Sequence, residues 1–309
     1  MNRWPLLFLC FLILLPLSTP SLAAESATGP VRVFVSVLPL KYLVERVGGP
    51  HVSVEVMVGP GQSPHTYEPT PRQMTKLSRT RVYYRCGLPF ENVWMKRIAD
   101  LNPDMRIVDL RDGIALRRLE DHAHDDHDHH DRHHADHEGA YDPDRILDPH
   151  IWTSPLLARA MAAHIRTSLE AIDPQHAPIY RAGYETLAAD LTALDTQLRV
   201  RLAGIKNRKF LVFHPSWGYF ADAYGLQQIA IEEAGKEPGP RALGRIIDLA
   251  KRENIRVIFV QQQFSRTTAT TVARAIGGKV VAIDPLAEDY IDNLRKAADA
   301  FLTALEKKP

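Results

Sequence analysis

Cysteine is almost missing from this chain: Cys10 and Cys86 are the two in 309 residues. Cys10 falls in an apolar leader expected to be removed, so no intramolecular disulfide can staple the mature chain. Stability must then come from packed cores and from whatever the protein binds. A dominant charge is missing too. The 38 Lys and Arg residues stand against 37 Asp and Glu, which argues against nucleic acid or an anionic membrane surface as a general partner. Beyond the leader, no apolar run approaches the roughly 20 residues that span a bilayer. The zinc-protease pattern HExxH and the G-x-S-x-G nucleophile elbow are also absent, and no general base stands out.

The leader itself is informative. Arg3 supplies a short basic start, Leu6 to Leu15 is nearly all apolar, and Pro16 and Pro20 break the run before the small residues of Ser21-Leu22-Ala23-Ala24. This is the layout of a secretory signal peptide, with cleavage expected after Ala23 or Ala24. Phe8-Leu9 before Cys10 does not suit a lipid-anchoring signal, which would place small residues there.

In the mature chain, β-branched runs alternate with helical patterns. Strands are expected at 31–37 (VRVFVSV), 52–58 (VSVEVMV), 81–84 and 106–109, with helices at 39–47 and 91–100. A second series follows, with strands at 209–213, 227–231, 257–260 and 279–283 and helices at 241–253, 268–276 and 289–306. Between them, Tyr180, Tyr184, Leu187, Leu191, Leu194, Leu198 and Leu202 recur at three- and four-residue spacing. That spacing predicts one helix from Pro174 to near Gly204, roughly 45 Å long at 1.5 Å per residue. Asp173 reads as its N-cap, with Pro174 at the first helical position. The fold class is therefore α/β with parallel βαβ units. The expected organisation is a signal peptide at 1–24, an N-terminal lobe at 25–172, a linking helix at 173–205 and a C-terminal lobe at 206–309. No sequence repeat relates the two halves.

One segment breaks the pattern. Residues 121–138 hold eight histidines (His122, His124, His127, His129, His130, His133, His134, His137), six Asp, one Glu and one Arg, with no bulky apolar residue. Such a composition cannot bury a core and is expected to form a mobile loop. Its imidazoles and carboxylates can assemble many weak N/O metal sites, because ordering the loop costs part of the binding energy.

Six histidines lie elsewhere. His51, His164 and His176 sit at a strand entry or in and near helices and read as surface or capping residues. His65 (SPHTYEP), His150 (LDPHIW, just before a helical segment) and His214 (FHPSWGY) lie in loops at strand or element ends. Ligands of parallel sheets gather at such ends. Asp284, closing the last strand, has the same placement, although with Pro285 after it a capping role is also open. Three imidazoles and a carboxylate suit zinc, with manganese and iron also compatible.

The segments PHTYEPTP (64–71), DPHIWTSP (148–155), FHPSWGYFADAYGL (213–226), EEAGKEPGPRAL (232–243) and IDPLAED (283–289) occur in an order that resembles the metal-binding solute-binding proteins of ABC importers, specifically the zinc-uptake type of the zinc and manganese cluster. The resemblance runs from Val33 to about Leu305. It implies two (β/α) lobes with parallel sheets joined by one long rigid helix, the metal between the lobes, and His65, His150 and His214 as ligands. The family's fourth position falls on Asp284, where some members use glutamate or water. Gln261-Gln262-Gln263 departs from relatives that carry an acidic residue and a proline there, removing a charge near the site. A His/Asp-rich insertion is a feature of the zinc type. The resemblance thus implies a non-enzymatic, monomeric protein that captures Zn²⁺ as cargo in the periplasm for an ABC permease, with a periplasmic zinc chaperone as a further partner. Manganese or ferrous iron as cargo, an extracytoplasmic zinc buffer or adhesin, and a zinc hydrolase are the competing readings.

Overall fold

The computed structural model describes residues 29–119, 147–232, 236–264 and 266–306. The expected signal peptide and the histidine tract lie outside these residues. Within them the chain forms two four-stranded sheets in which every strand pair is parallel. The first contains β1 (Val31–Val37), β2 (Val52–Val58), β3 (Val82–Arg85) and β4 (Arg106–Asp109) in the order β2-β1-β3-β4. The second contains β5 (Lys209–Val212), β6 (Gln227–Ala230), β7 (Val257–Val260) and β8 (Lys279–Ala282) in the order β6-β5-β7-β8. Each sheet has the same strand order, so the two lobes share one topology without a sequence repeat.

The helices follow from the connections that parallel strands require. In the first lobe these are α1 (Leu38–Gly48), α2 (Pro71–Leu77) and α3 (Pro89–Leu101), followed by α4 (Pro155–Ile172). The long helix is α5 (Ala177–Leu202), and the second lobe carries α6 (Gly218–Tyr224), α7 (Pro240–Arg252), α8 (Arg266–Ala275) and α9 (Tyr290–Glu306). The seven-residue helices α2 and α6 are not anticipated from periodicity, because seven residues are too few to display it. Among the described residues, no helix is long and apolar enough to cross a membrane.

The long helix differs from expectation at its start. Pro174–His176 forms a 3-10 turn, and α5 proper has 26 residues, about 39 Å. The Asp173 side chain caps no backbone amide. Instead it accepts the Tyr180 hydroxyl at 2.6 Å and faces His176 Nδ1 at 2.7 Å. Two stronger side-chain partners have displaced the capping role read from the sequence.

Leu187, Leu191, Leu194, Leu198 and Leu202 of α5 are all buried, as their spacing requires. They belong to a single apolar core that continues from β1 and α1 through α4 and α5 to Phe210, Phe259 and Phe301. The second sheet shows the two-residue alternation of a strand with both faces covered. Phe210, Val212, Val257 and Phe259 face that shared core, while Leu211, Phe213, Ile258 and Val260 face a separate core with Ile246 and Val272. The lobes are therefore not independent bodies on a bare rod; α5 is embedded in the core they have in common.

Helices α1 and α5 approach closely at Gly183, where an added Cβ would lie 2.4 Å from the Val47 carbonyl oxygen. That obstacle is backbone and cannot rotate away. Alanine is ordinarily the better helix former by about 1 kcal/mol, yet Gly183→Ala should destabilise the protein by about 1–3 kcal/mol through overpacking. Urea unfolding of the two proteins checks the sign; a stabilised variant would mean the helices can separate there freely.

Candidate metal centre

His65 is placed by the loop that leaves β2. Thr70 caps α2 through a reciprocal pair with Gln73, and Pro71 begins the helix. Gln73 also donates to the carbonyls of Val56 and Met57 and accepts the Tyr67 hydroxyl at 2.7 Å. Tyr67 packs edge-on against Phe90. The PHTYEPTP segment is thus tied down on both sides of Tyr67, which leaves His65 at the carboxyl end of the first sheet with little freedom.

His150 and His214 are held by carboxylates. Asp148 is fully buried, and its Oδ1 lies 2.7 Å from His150 Nδ1 and 2.9 Å from the His150 backbone nitrogen, which donates to it. Glu232 Oε1 lies 2.5 Å from His214 Nδ1. A carboxylate at Nδ1 keeps the proton on that nitrogen and turns the Nε2 lone pair outward, the arrangement usual behind metal-bound imidazoles. The His214 backbone is gripped separately by buried Gln261, whose Nε2 donates to the His214 carbonyl and to Ser216 Oγ, both at 2.7 Å.

These three imidazoles meet between the lobes. His65 Nε2 is 3.2 Å from His214 Nε2, which is 3.3 Å from His150 Nε2. Zn–N bonds of 2.0–2.1 Å in tetrahedral geometry place donor nitrogens roughly 3.3 Å apart, so each of these two separations suits a pair of donors on one ion, with His214 common to both. Burial, reinforced by the neighbouring imidazoles, holds the His65 pKa down at about 3. Burial also lowers that of His150, against the opposing pull of Asp148. Both rings are thereby kept neutral, as ligation demands. The shared cavity has a volume of about 20 Å³ and is walled by the three histidines with Pro64, Gln261, Gln263, Phe264, Pro285 and Leu286.

Asp284 is placed differently. Pro285 and Leu286 line the cavity, but Asp284 does not, and its Oδ1 accepts the Leu286 amide at 2.9 Å. The described geometry thus brings together three of the four expected site residues. His164 faces the Asp112 carbonyl, and His51 stacks on His176, all away from the cavity. The eight tract histidines lie outside the described residues, but the residues flanking that segment are paired: Arg118 bridges to Leu147, and the Asp148 amide donates to the Arg117 carbonyl at 3.0 Å. The described chain thus resumes at Leu147, three residues before His150. Cys86 is buried, and burial pushes its thiol well above the ordinary range, which leaves it unreactive.

The sequence does not mark Asp148 or Glu232 as site residues. Asp148 and Glu232 fall inside quoted motifs, and a signal existed for Asp148, which stands two residues before a candidate ligand. The Gln261 triplet reads in sequence only as a lost charge, whereas the structure gives its amide a clear hydrogen-bonding role.

Residues 33–304 match the family model described as "Zinc-uptake complex component A periplasmic". The chain belongs to this family. The resemblance carried by the sequence motifs is borne out, and so is the two-lobed parallel α/β fold. A crystal structure of ZnuA superposes with a TM-score of 0.80 at 35% identity, covering 90% of this chain and 100% of that one. The zinc-binding lipoprotein AdcA of Streptococcus pneumoniae is 27% identical over 97% of this chain and 58% of its own length, so the chain spans little more than half of that relative. The manganese-binding lipoprotein MntA of Halalkalibacterium halodurans is 26% identical over 90% of this chain and 89% of its own.

A neutral, partly buried histidine also links acid to stability in the metal-free protein. The folded pKa of His65, about 3, lies below the ordinary 6.5, so the unfolded chain takes up this proton first. The contribution of its neutral form is present above pH 6.5 and is lost as pH falls toward 3. Between pH 7 and 5, metal-free His65→Ala should therefore lose less unfolding free energy than the unaltered protein. Parallel urea titrations at the two pH values check it, and equal losses would contradict it.

Proposed function

We propose that this protein captures Zn²⁺ with high affinity in the periplasm and delivers it to the permease of an ABC importer. The observation that carries this reading is the meeting of three imidazoles from both lobes, two of them buried, with Nε2 atoms 3.2 and 3.3 Å apart and carboxylates behind the buried two. A nitrogen-rich set of this kind favours zinc over manganese, whose sites use more oxygen. One chain supplies all three ligands, so a monomer suffices. Asp284 is the fourth ligand if its second oxygen turns to the ion while Oδ1 keeps the Leu286 amide; otherwise water completes the shell. The role is non-enzymatic, because Asp148 and Glu232 are both engaged with imidazoles and neither lines the cavity as a base for hydrolysis.

Uptake and release then depend on a small relative movement of the lobes. Trp152 Nε1 donates to the Pro285 carbonyl at 2.8 Å and the Tyr290 hydroxyl to the Trp152 carbonyl at 2.5 Å. Each such bond contributes about 1 kcal/mol, and the common core beneath them resists wide opening. Docking on the permease would supply what is needed to part His214 from His65 and His150. The tract at 121–138 acts as an auxiliary collector.

Equilibrium dialysis of the mature protein against zinc tests the site. His65→Ala with His214→Ala should abolish high-affinity binding, and full affinity in that variant would sink the proposal. Asp284→Ala should cost less than loss of any histidine, about 10–100-fold. Deleting 121–138 should lower the number of weakly bound ions and leave the tight one. Small-angle scattering of the metal-free and zinc-loaded protein should give nearly the same profile; a large domain closure would contradict the limited motion inferred from the shared core.

A further inference from the structure

The imidazoles alone do not choose between a four-coordinate and a six-coordinate ion. An N···N edge near 3.2–3.3 Å fits a tetrahedral ion with bonds of about 2.05 Å, but it also fits an octahedral ion with bonds of about 2.3 Å. The choice must come from what surrounds the open side of the triad. A six-coordinate ion held by three imidazoles needs three more donors there, whereas a four-coordinate ion needs one.

That side is roofed by apolar groups from three different loops. Pro64 precedes the first ligand, Phe264 comes from the loop after β7, and Pro285 and Leu286 come from the loop after β8. Phe264 is stacked on the His214 ring, with centroids 5.0 Å apart and planes 23° apart, and also packs against Phe213. Leu286 is buried, its amide is pinned by Asp284, and the preceding carbonyl is held by Trp152. The roof is therefore anchored to a ligand ring and to the interlobe hydrogen bonds. The free space between this roof and the imidazoles is small, about 20 Å³, and its apolar side chains offer no donor atoms to an ion. The remaining amide walls add little: Gln261 is committed to the His214 backbone and Ser216, and only Gln263 is left to meet a further ligand.

We propose that Phe264 and Leu286 determine cargo selectivity, by limiting the ion to three imidazoles and one further ligand and so excluding divalent cations that keep six. This rests on the zinc reading of the site and extends it from which residues bind to why manganese is refused. Neither residue ligates; each acts by occupying the space that extra waters would need. Truncating either one opens that space while the imidazoles and their carboxylates stay in place.

The test uses the mature protein, loaded with substoichiometric Co²⁺ so that the preorganised site fills first. Visible absorption then reports coordination number, and competition titrations give Zn²⁺ and Mn²⁺ affinities. The unaltered protein should show the intense bands of four-coordinate cobalt. Phe264→Ala and, independently, Leu286→Ala should shift these toward the weak bands of five or six coordination and reduce the Zn²⁺/Mn²⁺ affinity ratio by about tenfold or more, with thermal unfolding confirming that each variant is folded. Weak six-coordinate bands in the unaltered protein, or an unchanged ratio and spectrum in both folded variants, would overturn the proposal. If instead the cobalt bands survive His65→Ala with His214→Ala, the ion lies elsewhere and the site assignment itself fails.

Discussion

Everything at the centre of this molecule depends on aiming the Nε2 atoms of three histidine rings at one another. A buried imidazole left to itself turns to whatever hydrogen bond is near, and two rings brought together would repel if protonated. Burial meets the second difficulty by disfavouring the charged form of His65 and His150. Asp148 and Glu232 meet the first by occupying Nδ1 of His150 and His214. The two effects oppose one another at His150, where a carboxylate attracts the proton that burial expels. The outcome is a lone pair directed inward and a proton held on the far nitrogen.

The scaffold around this centre serves the same end. Each sheet delivers loops at its carboxyl edge, and the three imidazoles come from the loops after β2 and β5 and from the turn before α4. Rigid local devices then fix each loop: the Thr70–Gln73 capping box behind His65, the Asp148 carboxylate that accepts the His150 amide and the Gln261 clamp on the His214 backbone. These devices are spread over sequence, yet all lie within one or two side chains of one of the three imidazoles. Preorganisation of this sort reduces the ordering that binding must otherwise impose.

The sequence was a good guide where periodicity or chain direction alone decided the outcome. The strands around VRVFVSV and VSVEVMV, and the leucine ladder of α5, are legible because alternation and three-four spacing each encode a buried face. His65, His150 and His214 are legible as loop histidines because topology gathers such loops at one edge. What was not legible depends on pairing across long separations. Glu232 meets His214 from 18 residues away and Gln261 meets it from 47, and no spacing rule connects them. Asp284 illustrates the reverse. Its position after a strand and before proline fits a ligand and a turn equally well, and the described Oδ1 contact to Leu286 is the turn's. The Asp173 cap failed for a related reason, since Tyr180 and His176 compete for the same oxygen.

The single core that runs from β1 to Phe301 has a consequence for how the molecule comes apart. Leu187, Leu191 and Leu198 of α5 and Phe210, Phe259 and Phe301 of the second lobe are buried within the same continuous packing as Val33 and Leu43 of the first. Cutting the chain near residue 205 would leave each half with a broad oily face open to water. Neither half should then persist alone as a native fold, and heat or denaturant should melt the whole in one cooperative event. Two lobes that look alike on paper thus constitute, thermodynamically, one folding unit.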